Sequence, residues 1–317
     1  MVKVSVIIPT HQRANIVTES IDSVLAQTYD DFEIIVIDDS SSDNTREALQ
    51  HYVDSNKIRY FYIEARSVSR ARNLGIQHAK GEIIAFLDSD DLFTPQKLEI
   101  QVEYLNKYPE LGLIHGGFSK FDQNRNDLGY RDTSKLSGWI YPDLFLEWSV
   151  LIMTSTVMVH ASTLKKIGEF DNKLIHGEDL DLWGRIARHY AVLSIPEKLT
   201  QVRVHPGNLS GDFIKRPELF TRLLTKTFDA DPELSGKFKR RAMAKMLANS
   251  GKNFLGEGRK VDMKHTRKYS LRSIAYWPFQ LEAYVSIVVS IFGQDLRKRL
   301  YAIWNDYKYK STNAIPD

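Results

Sequence analysis

Short apolar runs alternate with longer amphipathic stretches through the N-terminal part of the chain. Four runs predict β-strands: Val4–Ile8, Phe32–Ile37, Ile58–Ile63 and Ile83–Leu87. Helical spacing of apolar positions, or residues typical of a helix start, predicts helices over residues 16–27, 41–52 and 68–79. Strands separated by such helices are typical of right-handed βαβ units, so the pattern predicts an α/β fold with a mostly parallel sheet.

Polar side chains follow each predicted strand where it ends. They are Thr10 after the first strand, Asp38 and Asp39 after the second, Arg66 after the third, and Asp88 and Asp90 after the fourth. The carboxyl ends of parallel strands meet at one edge of a sheet, and open α/β sheets bind their ligands there. The arrangement therefore indicates a nucleotide site, because a purely structural role gives no reason to gather these residues on one edge.

The acidic run Asp88-Ser89-Asp90-Asp91 directly follows the fourth predicted strand. Mg²⁺ and Mn²⁺ prefer such hard oxygen ligands and bind through few carboxylates plus substrate phosphates. A helix cap is the alternative role for an acidic run. Because Thr94–Lys97 is typical of a helix start, we expect Asp91 to have a structural role beside that helix, and Asp88 and Asp90 are the candidates for the site.

Five ordered motifs carry a family resemblance. They are Val4–Thr10, Ile37–Asp43, Ser69–Gly75, Phe86–Asp91 and Gly177–Trp183. Together they resemble the family-2 inverting glycosyltransferases with the GT-A fold, which is a Rossmann-like, mostly parallel sheet flanked by helices. The resemblance covers residues 1–212, the predicted catalytic domain. Residues 213–317 lie outside it and are expected to form a basic, helical C-terminal region.

The resemblance implies a set of nucleotide-binding residues. Pro9, Thr10 and Asp39 would hold the base and ribose, Arg72 would lie over the nucleotide, and Asp88 would contact ribose or metal-bound water. Asp90 would ligate Mn²⁺ or Mg²⁺, which would neutralise the leaving diphosphate. An Asx-turn is the alternative for Asp39, and an exposed helix-surface arginine is the alternative for Arg72.

The last motif supplies a candidate general base. By resemblance Asp179 would accept the proton of the acceptor hydroxyl as that oxygen attacks the anomeric carbon, and a single base with one displacement implies inversion. Glu178 would position the acceptor or donor sugar, and Asp181 would cap the helix or pair with Arg185. Acidic residues also favour a first helical turn for the helix dipole alone, which is the structural alternative.

Two further positions are candidates for ligand contact. By resemblance His205 would reach the metal or the diphosphate, and imidazole suits Mn²⁺, although a lone histidine can equally be a hydrogen-bonded surface residue. The segment 115–150 contains Trp139, Tyr141 and Trp148, which could stack on sugar faces or belong to the core. We take Trp139 as the candidate for sugar contact. Neither the sugar nor the acceptor follows from these residues.

Composition limits the setting. The 317 residues include no cysteine, so disulfides are excluded, and this agrees with a reducing cytoplasm. The first strand starts within a few residues of the N-terminus, so we expect no signal peptide. Gln201 does not begin the Gln-x-x-Arg-Trp signature that is typical of processive synthases. The absence of this signature favours transfer of one sugar per encounter.

Positive charge is concentrated in the C-terminal region. Residues 213–317 hold 21 Lys and Arg against 10 Asp and Glu. Asp231-Pro232 predicts a helix start, and basic clusters at 237–241 and 297–299 flank the apolar stretch Ala283–Phe292. Two interpretations remain: an amphipathic helix on an anionic membrane surface, or a solvated helical bundle. No recognition motif supports nucleic-acid binding.

The predicted activity is transfer of a sugar from a nucleotide-sugar donor, a UDP-sugar in the first place, to a hydroxyl of a glycan or lipid-linked glycan. The expected setting is polysaccharide biosynthesis for the cell envelope, in the cytoplasm or on the inner membrane face. A nucleotidyltransferase is one alternative, although residues 10–15 lack the glycines of a phosphate loop. A catalytically inactive sugar-binding or scaffold subunit is the other.

Overall fold

The structure is a computed structural model that describes residues 2–133, 135–147, 152–205, 214–255 and 262–291. These residues divide into two compact units, one within Met1–Gly211 and the other within Asp212–Asp317.

The first unit is built on a mixed β-sheet. Its strands are β1 (Val4–Thr10), β2 (Phe32–Asp39), β3 (Arg59–Ile63), β4 (Ile83–Phe86), β5 (Leu92–Phe93), β6 (Leu113–Asp122), β7 (Asp127–Arg131), β8 (Met158–His160) and β9 (Val192–Val204). Their order is β3-β2-β1-β4-β8-β6-β9-β5, and β7 pairs with β6. The strands β1 to β4 are parallel, as predicted, and so are β6 and β9. In contrast, β8 runs antiparallel to β4 and β6.

Six α-helices accompany this sheet in the described part of the first unit. They are α1 (Val17–Leu25), α2 (Thr45–Asp54), α3 (Val68–His78), α4 (Lys97–Lys107), α5 (Ala161–Ile167) and α6 (Glu178–Ala187). Alternate residues of β1 explain the layering, because Val4, Val6 and Ile8 pack into a core shared with α1, α2 and α4. On the other face, Ile35 and Ile37 of β2 pack against α3. The predicted α/β class with flanking helices is confirmed.

One predicted element of the first unit differs from the structure. The sequence of Met153–His160 is also typical of a strand, but in the structure Thr154–Thr156 forms a 3-10 turn and only Met158–His160 is a strand. The turn follows from local hydrogen bonds, since the Thr156 amide and hydroxyl both donate to the Met153 carbonyl. Asp91 does not cap α4, whose N-cap is Gln96.

The second unit is helical. It contains α7 (Arg216–Ala230), α8 (Gly236–Asn253), α9 (Met263–Tyr276) and a helix over residues 281–291. The predicted helix start at Asp231-Pro232 is wrong. Ser235 caps α8 by accepting a hydrogen bond from the Phe238 amide, and Asp231 instead follows the end of α7. Within the described ranges, no helix combines the length and apolar character that crossing a bilayer requires.

Candidate active site

The polar ends of the parallel strands converge at one edge of the sheet. Thr10 lies opposite Asp38 in the β1–β2 pairing, and Ile7 lies opposite Phe86 in the β1–β4 pairing. The chain beyond Phe86 therefore leaves the sheet beside the end of β1, which carries the acidic run 88–91 to the same edge. The two hydrogen-bonded clusters that form there are centred on Arg72 and on Asp90.

Asp39 organises the turn that precedes α3. Its carboxylate accepts hydrogen bonds from the backbone amides of Ala65, Arg66 and Ser67, at 2.9, 2.7 and 2.6 Å. These amides lie 26 to 28 positions away and not in the turn that follows β2, as the alternative of an Asx-turn would require. Asp39 thus holds the start of α3 against the end of β2.

Pro9 and Thr10 form the buried end of β1 beside this turn. Among the residues that the structure describes, the buried Thr10 hydroxyl has no hydrogen-bond partner. A buried hydroxyl without a partner is destabilising, so such a group is typical of a position that a ligand completes.

Arg72 of α3 joins three segments. It is 4% exposed, and its guanidinium donates to Asp88 Oδ1 at 2.7 Å and to Glu178 Oε1 at 2.9 Å. The guanidinium also lies 5.3 Å from the centre of the Phe170 ring. Burial alone would lower the pKa of Arg72, but the carboxylates of Asp88 and Glu178 outweigh it and raise the pKa. The alternative of an exposed surface arginine is wrong.

The helix α6 presents Asp179 next to this arginine. Gly177 precedes the helix with a φ of 78°, a left-handed conformation that glycine adopts without strain. Leu182, Trp183 and Ile186 bury the inner face, so Glu178 and Asp179 stand in the first turn at the sheet edge. Asp181 pairs with Arg185 at 2.9 Å, one of the two roles expected for it.

The pKa of Asp179 is raised to about 7. Burial is the largest cause and the negative charge of Glu178 is the second, while Arg72 acts in the opposite direction. A carboxyl group with this pKa exists in both protonation states near neutral pH, as efficient proton transfer requires.

Asp90 contacts a cation and an imidazole. Its Oδ2 accepts from Arg13 Nη1 at 2.7 Å and lies 2.9 Å from His205 Nε2. The buried Arg203 donates from Nε to the Asp90 carbonyl and from its amide to Asp91 Oδ1, both at 3.0 Å. Arg13 and Arg203 were not predicted as site residues, because nothing in the local pattern marks arginines whose partners lie far away in the sequence.

The donor set of Asp90 and His205 fits a divalent cation. Asp90 would offer a carboxylate oxygen and His205 an imidazole nitrogen, which are both suitable ligands for Mn²⁺, and these two atoms lie 2.9 Å apart. No group of three or more metal-ligating side chains occurs in the described part of the chain. A site with two protein ligands suits Mg²⁺ or Mn²⁺ when substrate phosphates complete the coordination.

Asp91 has a structural role, as expected, although it does not cap α4. Besides Arg203, its carboxylate accepts from the Ser155 hydroxyl at 2.6 Å, and its backbone carbonyl accepts from the Ser20 hydroxyl at 2.8 Å. Burial, followed by the charges of Asp90 and Asp88, raises the pKa of Asp91. Asp91 therefore connects β9, the 3-10 turn and α1 beneath the site.

The predicted sugar-contacting aromatics lie in the segment after β7. Trp139 is 73% exposed. Tyr141 makes an edge-to-face contact with Phe145, at 6.0 Å between ring centres. Trp148 lies outside the described residues.

The chain is similar to known glycosyltransferases in sequence. The profile of Glycosyl transferase family 2 matches residues 5–161. An uncharacterized glycosyltransferase of Rickettsia typhi is 36% identical over 227 residues, which are 69% of this chain and 70% of the relative. The matched region is only 33% of a second relative, from Rickettsia felis, at 35% identity. The Escherichia coli UDP-Glc:alpha-D-GlcNAc-diphosphoundecaprenol beta-1,3-glucosyltransferase WfgD is 32% identical over 193 residues, 61% of this chain and 72% of WfgD.

Solved structures show the same fold at low sequence identity. The crystal structure of S. aureus TarS 1–349 with UDP-GlcNAc has a TM-score of 0.65 and 17% identity, covering 91% of this chain and 89% of that one. The mannosyltransferase PcManGT from Pyrobaculum calidifontis, with GDP-Man and Mn²⁺, has a TM-score of 0.56 and 18% identity, covering 92% and 87%.

Proposed function

Since the chain belongs to glycosyl transferase family 2, we propose that it transfers one sugar from a nucleotide-sugar donor to a hydroxyl of a glycan or lipid-linked glycan, with inversion. The observation that carries this proposal is the position of Asp179. A carboxyl group with a pKa of about 7 stands beside the Arg72–Asp88 pair at the ligand-binding edge of the sheet.

Asp179 would be the general base. Its raised pKa lets the carboxylate take the acceptor's proton while the acceptor oxygen attacks the anomeric carbon. Attack from the face opposite the leaving diphosphate inverts the configuration, so an α-linked donor would give a β-glycoside. Glu178 keeps Asp179 basic through its negative charge, and its own carboxylate would contact the acceptor or donor sugar.

The donor would bind along the ends of β1 and β2. Pro9, Thr10 and Asp39 would hold the base and ribose, and the Thr10 hydroxyl would gain the partner that it lacks among the described residues. Arg72, whose Nε is buried without a partner in the same set of residues, would face the nucleotide, with Asp88 at the ribose. The exposed Trp139 ring would stack on a sugar face.

Asp90 and His205 would hold Mn²⁺ or Mg²⁺. Bound there, the ion would supply Lewis-acid stabilisation of the departing nucleoside diphosphate. Arg203 would keep Asp90 in place, because it binds the backbone carbonyl of Asp90 while its amide binds Asp91.

The names of similar proteins favour a UDP-sugar and a lipid-linked acceptor. The E. coli relative is named for transfer of glucose from UDP-Glc to a diphosphoundecaprenol-linked sugar. S. aureus TarS has been crystallised with UDP-GlcNAc. For this chain we therefore propose UDP as the nucleotide and a lipid-linked glycan as the acceptor, and we assign no particular sugar.

The second unit would bring the enzyme to a membrane that contains such an acceptor. The helix over 281–291 exposes four apolar side chains, those of Leu281, Tyr284, Val288 and Ile291, next to Phe279, which is 82% exposed. The neighbouring helix α9 exposes Lys264, Arg267 and Lys268. An apolar surface beside cations suits anionic lipid headgroups. Of the two basic clusters predicted from sequence, 237–241 lies on α8, and 297–299 lies outside the described residues.

Metal-dependent donor binding tests the proposal. In the presence of Mn²⁺, at least one of a panel of UDP-, GDP- and dTDP-sugars should raise the melting temperature, and we expect the largest increase with a UDP-sugar. Asp90→Ala should abolish the Mn²⁺-dependent part of the shift and nearly all transfer. Asp54→Ala, which removes an exposed carboxylate at the end of α2, is the control and should behave as wild type.

Different results would contradict different parts of the proposal. Full activity in EDTA would exclude the metal-dependent mechanism. Nucleotide binding without transfer or hydrolysis would indicate a catalytically inactive sugar-binding subunit. No stabilisation by any nucleotide sugar would exclude the donor class.

A further inference from the structure

Three side-chain atoms from distant parts of the chain, one of them on Asp90, form a close triangle. Arg13 Nη1 lies 2.7 Å from Asp90 Oδ2 and 2.9 Å from His205 Nε2, and these two acceptor atoms are 2.9 Å apart. The three side chains are 17%, 12% and 11% exposed, so water screens the triangle only weakly.

The chemistry of the three groups shows what holds the triangle together. An ionised carboxylate can only accept hydrogen bonds and a guanidinium can only donate them. If His205 Nε2 carries a lone pair, that lone pair and Asp90 Oδ2 converge on one cationic nitrogen. If Nε2 carries the proton, it donates to Asp90 Oδ2 but also faces the Arg13 N–H at 2.9 Å, which is unfavourable. The arrangement is that of two ligands around a common positive charge.

Those two ligand atoms are the ones that the proposed function assigns to a divalent cation, and the inference rests on that assignment. A guanidinium and a metal ion cannot both hold the same lone pairs at these distances. We propose that Arg13 is a resident counter-cation that occupies the ligands of the metal site, that Mn²⁺ or Mg²⁺ displaces it, and that the displaced guanidinium then pairs with the donor's diphosphate. Uptake of the metal is thereby coupled to arrival of the nucleotide.

The backbone around Arg13 limits the movement to its side chain. The Arg13 amide donates to the Thr45 hydroxyl at 3.2 Å, at the start of α2. Its carbonyl accepts from the amides of Ile16 and Val17 at 3.0 Å, at the start of α1. A guanidinium released from Asp90 remains at the sheet edge, where its planar fork matches phosphate oxygens.

Mn²⁺ binding to the full chain without nucleotide is the direct test. Free Mn²⁺ is followed by electron paramagnetic resonance for wild type, Arg13→Gln and Arg13→Lys. We expect Arg13→Gln to bind Mn²⁺ roughly tenfold more tightly than wild type or more, because the competing charge is gone. Arg13→Lys keeps a competing cation and should stay near wild type. A gain in metal affinity is not what a merely structural role of Arg13 would produce.

A matched control separates local competition from net charge. Arg131→Gln removes one positive charge from an exposed arginine on β7, and it should leave Mn²⁺ affinity unchanged. Addition of UDP should tighten Mn²⁺ binding by wild type roughly tenfold or more, and by Arg13→Gln clearly less. The wild-type measurement tests the coupling even if a variant fails to fold.

Three outcomes would overturn the inference. They are unchanged or weaker Mn²⁺ binding by a folded Arg13→Gln, an equal gain in Arg131→Gln, or no effect of UDP on wild type. A different result would contradict the proposed function itself: Mn²⁺ binding by Asp90→Ala, with and without UDP, as tight as by wild type. The two failures are therefore distinguishable.

Discussion

Burial and the charges around Asp179 determine its pKa. Burial and the neighbouring Glu178 favour the protonated form, whereas Arg72 favours the carboxylate. Arg72 in turn pairs with Glu178 and Asp88, so one buried guanidinium positions these two carboxylates and also opposes the rise in the pKa of Asp179.

Replacement of the proposed base should separate chemistry from binding. Asp179→Asn keeps the shape but removes the base, so turnover should fall by about 10²–10⁴. Nucleotide affinity, measured by calorimetry, should stay near wild type. Retained turnover would assign the base to another residue, and a collapse of affinity would make Asp179 a donor-binding group.

Glu178 should control the pH dependence of the reaction. Because the base must be deprotonated, kcat/KM should rise with pH through an apparent pKa of about 7. Glu178→Gln removes a negative neighbour and leaves Arg72 less neutralised. Both changes lower the pKa of Asp179 and should move the rise to lower pH. Glu110→Gln, at an exposed position after α4, is the control. An unshifted profile in Glu178→Gln would contradict this electrostatic account.

The helix α4 carries an unusual buried lysine. Lys97 is fully buried, its ammonium donates to Gln101 and lies 4.4 Å from the centre of the Phe93 ring. Burial lowers the pKa of Lys97 to about 7. The helix α4 therefore contains a buried ammonium group, and the loss of its hydration opposes folding.

Removal of this charge should stabilise the protein. The pKa of lysine in the unfolded chain is about 10.4. The free-energy cost of burying the charged ammonium is therefore complete below pH 7 and disappears as the pH rises from 7 towards 10.4. Lys97→Met should raise the free energy of unfolding by about 1–3 kcal/mol at pH 6, and less at pH 9. Chemical denaturation at both pH values measures it. The exposed Lys107→Met, in the same helix, should show no such gain, and a destabilised Lys97→Met would contradict the argument.

The two units of the molecule present different surfaces. The described residues of the second unit, 214–255 and 262–291, carry 14 Lys and Arg against 6 Asp and Glu. They also expose the apolar side chains Phe279, Leu281 and Ile291. Exposed apolar groups of this size are typical of interaction surfaces, and their combination with positive charge favours anionic lipid.

Vesicle binding tests this surface on the whole chain. Wild type should sediment with phosphatidylcholine–phosphatidylglycerol vesicles at low salt, and salt should remove only part of the binding. The double variant Phe279→Ser/Leu281→Ser should bind at least about tenfold more weakly, from the lost burial of two large side chains. Leu128→Ser, on the exposed strand β7, should bind as wild type. A wild-type protein that ignores these vesicles would favour the solvated-bundle interpretation.

Much of the first unit could be predicted because its signals are local. Apolar runs of strand length, helical spacing and residues at strand ends determined β1 to β4, α1 to α3 and the edge at which the candidate site lies. The topology of parallel strands then requires their carboxyl ends to meet, whatever the side chains between them. The roles of Asp179, Asp90 and His205 were implied by family resemblance, and they remain proposals.

The tertiary structure alone decided which partner each polar group has. Arg13 meets His205 across 192 positions of sequence and Arg203 meets the Asp90 carbonyl across 113, distances at which no periodic pattern carries information. Asp231 and Ser235 are of residue types with nearly equal preference for the N-cap position. In the structure Ser235 is the N-cap, since its hydroxyl accepts a hydrogen bond from the Phe238 amide. Local chemistry thus determined the strands, the helices and the site's edge, whereas the pairing of charges depends on contacts that exist only once the chain has folded.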